Sequence, residues 1–134
     1  METRTTFNRV TGDKAWHVSS KTDWDVLVEY LGGSDVAGGK LKEAGNSHWR
    51  SCYLGNVPAT NESGFTAIPG GFISLEVWPV TGIHVIRAGA DWAAWWYGDQ
   101  TPSRFQILST CSNTSNVSLP EVHPIGACVR CVKD

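Results

Sequence analysis

The sequence predicts an α+β fold, with two N-terminal helices followed by several short strands and long loops. Three observations predict it. An amphipathic period with a capping signal runs from Ser20 to Leu31. A second, smaller apolar face follows and closes near Gly45. From Phe65 onward, short β-forming segments are separated by Gly, Pro, Asn and Ser. The 134 residues fit one domain, read as a flexible lead-in at 1–14 and a single domain at 15–134.

Residues 1–14 are polar, and Trp16-His17-Val18 reads as a short strand. Ser19 and Ser20 supply hydroxyls for a helix start. Ser20 and Asp23 have the capping-box spacing, a hydroxyl followed three residues later by an acid. Trp24, Leu27, Val28 and Leu31 recur at i, i+3, i+4 and i+7, one buried helix face. Gly32-Gly33 ends that helix. Ser34 is the expected cap of a second helix from about Asp35 to Glu43. Ala37, Leu41 and Ala44 form its face, and Gly38-Gly39 permits close packing.

From Asn46 to Ser63 periodicity is absent and turn residues dominate, so an irregular loop is expected. Phe65 to Ile68 alternates, Pro69-Gly70-Gly71 interrupts, and Phe72-Ile73 resumes. Short strands are expected at about 83–87, 92–97, 104–111 and 127–132.

Composition excludes several function classes. At 41% apolar and 18% charged, the chain is globular rather than disordered. A net charge of -2 leaves no basic footprint, so nucleic acid is not an expected partner. No apolar run approaches the roughly 20 residues of a membrane span, so direct membrane insertion is not expected. Met1-Glu2-Thr3-Arg4 opens without an apolar leader, so no signal peptide is expected in this chain.

Cys128 and Cys131 have the C-x-x-C form of a redox pair or half a zinc site. Cys52 and Cys111 stand alone, and His17, His48, His84 and His123 are scattered. On a strand, residues three apart face opposite sides, so one inward and one outward cysteine is expected. Four cysteines allow three full pairings, and spacing does not choose among them. No metal or cofactor is expected. His84, Asp99 and Cys111 could be drawn together as a Cys-His-Asp set, but no spacing supports it, and no G-x-S-x-G, H-E-x-x-H or P-loop occurs. The chain is therefore expected not to be an enzyme.

Several stretches carry a family resemblance. Trp16-His17-Val18, Asp23-Trp24, Leu31-Gly32-Gly33 and Ala37 to Glu43 resemble the Fibrobacter succinogenes major paralogous domain. So do Ala59 to Phe72, Trp95-Trp96 and Val129 to Asp134, in family order. The resemblance implies a C-type-lectin-like fold, with two helices packed on short twisted antiparallel sheets and a loop-rich binding face. It implies a bacterial or phage source and placement on a cell surface, in a secreted protein or on a phage particle, as part of a larger protein. The chain departs from the family at Ser19, where relatives carry proline, and at Gly12 to Ala15, where they carry an upstream cysteine. Cys131 thereby lacks the partner the family pattern implies. It also departs widely from Ile73 to Ala127. Domains of this kind serve as variable proteins of diversity-generating retroelements, which mutate adenines and so deplete lysine codons. No lysine occurs from Ala44 to Cys131.

The expected function is non-catalytic ligand binding through a variable face at about 83–127, with a protein or glycan on a cell surface as partner. The alternative is a structural surface module without a specific small ligand. The candidate ligand-binding residues are Arg87, Asp91, Trp92, Trp96, Tyr97, Asp99, Arg104, Gln106, Thr110 and His123. Exposed Trp and Tyr supply rigid contact area. The seven tryptophans divide between this face and the core. Trp16, Trp24, Trp49 and one of Trp95-Trp96 are expected inside. Trp78 is the least explained. Phe105, Ile107 and Ser109 share one strand face, Arg104, Gln106, Leu108 and Thr110 the other, and the resemblance implies that Leu108 points inward. Asn61-Glu62 is read as a loop brace ahead of a metal ligand. Calcium-lectin tripeptides are absent, and the sequons at Asn61, Asn113 and Asn116 mean little if the source is the bacterial one that the resemblance implies.

Overall fold

A computed structural model describes residues 15–45, 47–50, 59–78, 80–89, 91–99, 105–109 and 123–134. At 76–78, 86, 88, 105–109 and 123–125 it describes the backbone alone. The expectations for 1–14, Cys52, Arg104, Thr110, Cys111, Asn113 and Asn116, and for the Trp78 side chain, lie outside the described residues.

The fold mixes two helices with short antiparallel sheets. The elements in order are β1 (Trp16–Val18), α1 (Lys21–Tyr30), α2 (Ser34–Leu41), β2 (Phe72–Trp78) and β3 (Gly82–Ala88). Then come β4 (Trp92–Trp96), β5 (Phe105–Ser109), β6 (His123–Gly126) and β7 (Cys131–Lys133). β1 pairs with β7, β4 pairs with β5, and a three-stranded sheet has the order β3-β2-β6.

α1 forms as its sequence dictates. The Ser20 hydroxyl accepts from Asp23 N–H at 3.1 Å, and the Asp23 carboxylate accepts from Ser20 N–H at 2.8 Å. This capping box satisfies two otherwise orphaned donors. The helix ends in reciprocal bonds. Gly33 N–H donates to Val28 C=O and Gly32 N–H to Glu29 C=O, with Gly32 at φ 100°. That is the Schellman arrangement, which requires a left-handed residue after the cap.

α2 differs from expectation at both ends. Its N-cap is Gly33, at φ 96° and without a side-chain cap bond, so Ser34 lies inside the helix. Gly33 closes one helix and opens the next. The helix stops at Leu41 because Lys42 turns to extended backbone and bridges Ala67. Ala67 N–H donates to Leu41 C=O, and Glu43 N–H donates to Ala67 C=O. Gly45 does not end the helix.

The strands also depart from expectation. β2 runs to Trp78, well past Phe72-Ile73. The segment expected at 127–132 is not one strand: Cys128 makes an isolated bridge to Trp95, and Cys131–Lys133 pairs with β1. His123–Gly126, which was not expected as a strand, pairs with β2.

The core gathers Trp24, Leu31, Ala37, Leu41, Trp49, Ala67, Ala93, Trp95 and Tyr97. Trp24, Phe65 and Trp95 form an aromatic triangle with every centroid separation at 5.5 Å. The Arg130 guanidinium lies 4.3 Å from the Phe65 centroid on its face, a cation–π contact. Buried Trp49 donates its indole N–H to Ala67 C=O at 3.0 Å. Trp16 was expected in the core and is 56% exposed. It stands on the two-stranded β1–β7 ribbon, opposite Lys133.

Candidate binding surfaces

Two strand surfaces bear the candidate residues. The first is the sheet β3-β2-β6. Its alternation is inverted. Phe72 and Ser74 are buried on the inner side of β2, so the polar Ser74 faces in. Ile73 and Leu75 occupy the other side. Across the strand pair, Ile73 meets Arg87, Leu75 meets Val85 and Val77 meets Ile83. Cross-strand partners share a face, so Ile73, Leu75, Ile83, Val85 and Arg87 form one outward surface. Ile83 is 69% exposed, Val85 57% and Ile73 37%. Arg87 is exposed at the end of this row. His123 on β6 pairs with Leu75, which puts its register position on the same face.

The second surface is the β4–β5 pair. Trp95 is buried and Trp96 half-buried, on opposite sides as period-two geometry requires of neighbours. Trp92 is half-buried and meets Phe72 edge to face at 6.2 Å. Gln106 pairs with Trp95 and Leu108 with Ala93, both core residues. The expectations for the Gln106 and Leu108 side chains lie outside the described residues. Tyr97 was expected to face a ligand and is 8% exposed within the core. Burial pushes its phenol up to about 12, with Asp25 and Asp99 adding to the rise. It follows Trp95 by two residues and so shares its inward side.

Asp91 and Asp99 have structural partners. The Asp91 carboxylate pairs with the exposed Arg50 guanidinium at 3.2 Å. Asp99 accepts from Lys21 N–H at 2.9 Å and so caps the start of α1. That role escaped the sequence reading because the two residues are far apart in the chain. The structure therefore brings Arg87 and His123 to one sheet and Trp92, Trp96 and Gln106 to another.

Cys128 and Cys131 are both free and exposed, so the expected inward cysteine is not there. Among the described residues, no group of three or more His, Cys, Asp or Glu side chains converges as for a metal. No described helix is long and apolar enough to cross a membrane. Asn61 braces its loop, donating to the Thr66 hydroxyl at 2.9 Å and accepting from Thr66 N–H at 2.8 Å. Glu62 pairs with Lys40 at 3.5 Å.

Fold and surfaces together define a small α+β domain with a tryptophan-centred core and an apolar outward strand face. The chain matches the Fibrobacter succinogenes major domain family over residues 14–133 and belongs to it. No curated protein and no solved structure matches the chain.

Proposed function

We propose that this is a non-catalytic binding domain of C-type-lectin-like fold. It presents the outward face of β2 and β3 to a protein partner, at a cell surface, in a secreted protein or on a phage particle. The inverted alternation carries the reading. Isolated exposed apolar residues are ordinary, but Ile73, Ile83 and Val85 lie together on one face with Arg87 at its end. These side chains are aliphatic, which favours a protein over a glycan. A sugar needs an open aromatic face or a dense set of polar groups. Here Tyr97 is buried and Trp92 packs on Phe72. The lysine-free stretch Ala44–Cys131 spans this whole face, which supports diversification by a retroelement. A near-repeat of the coding segment differing only at adenines would test that extension.

The binding reading is tested by offering the domain a displayed-peptide library and a glycan array, beside an Ile83→Ser/Val85→Ser double variant. Peptides should be enriched on the wild type and lost on the variant, with the glycan array blank. Glycan capture, or peptides indifferent to the double substitution, would overturn it.

A further inference from the structure

The outward face ends on β3, whose far edge no strand pairs among the described residues. β3 lies at one end of the order β3-β2-β6. All of Gly82–Ala88 pairs with β2 in unbroken register. In an antiparallel pair, alternate residues direct N–H and C=O away from the partner strand. Among the described residues no strand pairs with that side of β3. Proteins usually blunt such edges with charged side chains, lysine above all, or with proline or bulges, and the one such charge on β3 is Arg87 near its end. β3 reads Gly-Ile-His-Val-Ile-Arg-Ala, with no Lys, no Pro and no shift of register. Ile83, Val85 and Arg87 alternate on its outward side, and Arg87 has no ion pair among the described residues.

We propose that β3 takes up an extended segment of another protein as an added strand. The segment sets apolar side chains at alternate positions beside Ile83 and Val85 and a carboxylate beside Arg87. The open edge specifies extended backbone, the aliphatic row specifies apolar alternation, and the unpaired guanidinium specifies an acid. A second copy of the chain fits less well. Self-pairing of β3 about Val85 sets each Arg87 opposite Ile83 and leaves both guanidinium groups without a carboxylate. The proposal rests on the protein-binding reading above and adds the mode of binding and the charge of the partner.

The test uses the whole chain and two synthetic peptides, Thr-Glu-Thr-Val-Thr-Val-Thr and its reverse order, followed by fluorescence anisotropy. One peptide order should bind. Replacing its Glu by Lys should weaken binding about tenfold or more, a difference of about 1.4 kcal/mol. Arg87→Glu should weaken the original peptide similarly and restore binding of the Lys peptide. Methylation of the peptide's edge-facing amides should abolish binding, and circular dichroism should show the Arg87→Glu fold unchanged. Binding that survives amide methylation but is lost in Ile83→Ser would overturn strand addition while leaving the docking face intact. Failure of both peptide orders, with library peptides still captured by the face, would overturn it as well. So would self-association abolished by Val85→Lys without any peptide binding, which would assign the edge to a second copy.

Discussion

The indole N–H of Trp24 donates to the Ser19 hydroxyl at 2.9 Å, and both residues are 2% exposed. The bond ties the first strand to the main anchor of α1. Ser19 also donates its own N–H to Arg130 C=O at 2.8 Å and accepts from Gly98 N–H at 2.9 Å. A proline, lacking N–H, could not make the bond to Arg130. Serine at this position therefore joins β1 to two later segments of chain.

Ser19→Ala should lower stability by about 1–3 kcal/mol, because the buried indole N–H loses its acceptor. Urea unfolding checks this. An unchanged midpoint would show that the indole finds another acceptor.

Gly98→Ala should destabilise by about 1–3 kcal/mol through overpacking. An added Cβ would lie 2.8 Å from Val18 C=O and 3.0 Å from Val18 Cβ. Backbone is the obstacle, so no side-chain rotation relieves it. Gly70→Ala should cost less, since its Cβ would meet the movable Cys128 thiol at 2.9 Å. Comparing the two unfolding midpoints tests the order.

Ser74→Ala should raise stability by about 1 kcal/mol. The Ser74 hydroxyl is buried and has no hydrogen-bond partner among the described residues. Removing it relieves a desolvation penalty and leaves only a small cavity. A fall in the urea midpoint would refute this.

His17 makes stability depend on pH. Its Nε2 lies 2.9 Å from Asp23 and its Nδ1 2.7 Å from Asp134. The bonds to Asp23 and then Asp134 raise its pKa above 6.5, against a small burial effect. A raised pKa in the folded state adds stability that is complete below the unfolded value. That stability is lost as pH rises through the folded value. Asp23 behaves oppositely. Its bonds from the Ser20 hydroxyl and backbone hold its carboxyl below 3.8, so its contribution is lost only in stronger acid. Thermal midpoints of wild type and His17→Gln, measured from about pH 5 to 9, should differ most at the acid end and converge at the alkaline end. A constant difference would refute the linkage.

Tyr97→Ala should cost about 3–5 kcal/mol of stability, as expected for a buried aromatic. Tyr97→Phe should retain most of that packing. Any loss of partner binding in Tyr97→Ala would thus follow the lost fold, and denaturation curves should show it.

Local signals in the sequence were accurate for α1 and not for α2. The capping box, the period from Trp24 to Leu31 and the double glycine specify α1 within one stretch of chain. The placement of Trp95 and Trp96 on opposite sides follows from strand period, and Trp96 is half-buried on the side it shares with buried Ala94. Extended one residue further, the same period places Tyr97 inside, which the functional appeal of an aromatic cluster had obscured. β2 was hidden for a different reason. Its alternation is regular, but Ser74 is buried while Ile73 is exposed, so polarity misreports which side is the interior. The exposure of Trp16 depends on what lies beside its ribbon, and the capping by Asp99 depends on a distant loop. Neither is a local property of sequence.

The antiparallel β1–β7 ribbon sets Trp16 opposite Lys133, and Asp134 N–H donates to Ala15 C=O. Ala15 and Asp134 therefore sit side by side at one end of the ribbon. Tension applied between them would load these bonds singly, as a zipper opens, rather than all at once in shear. A domain held in this way yields first at its seam under mechanical load, while the tryptophan core behind it stays closed.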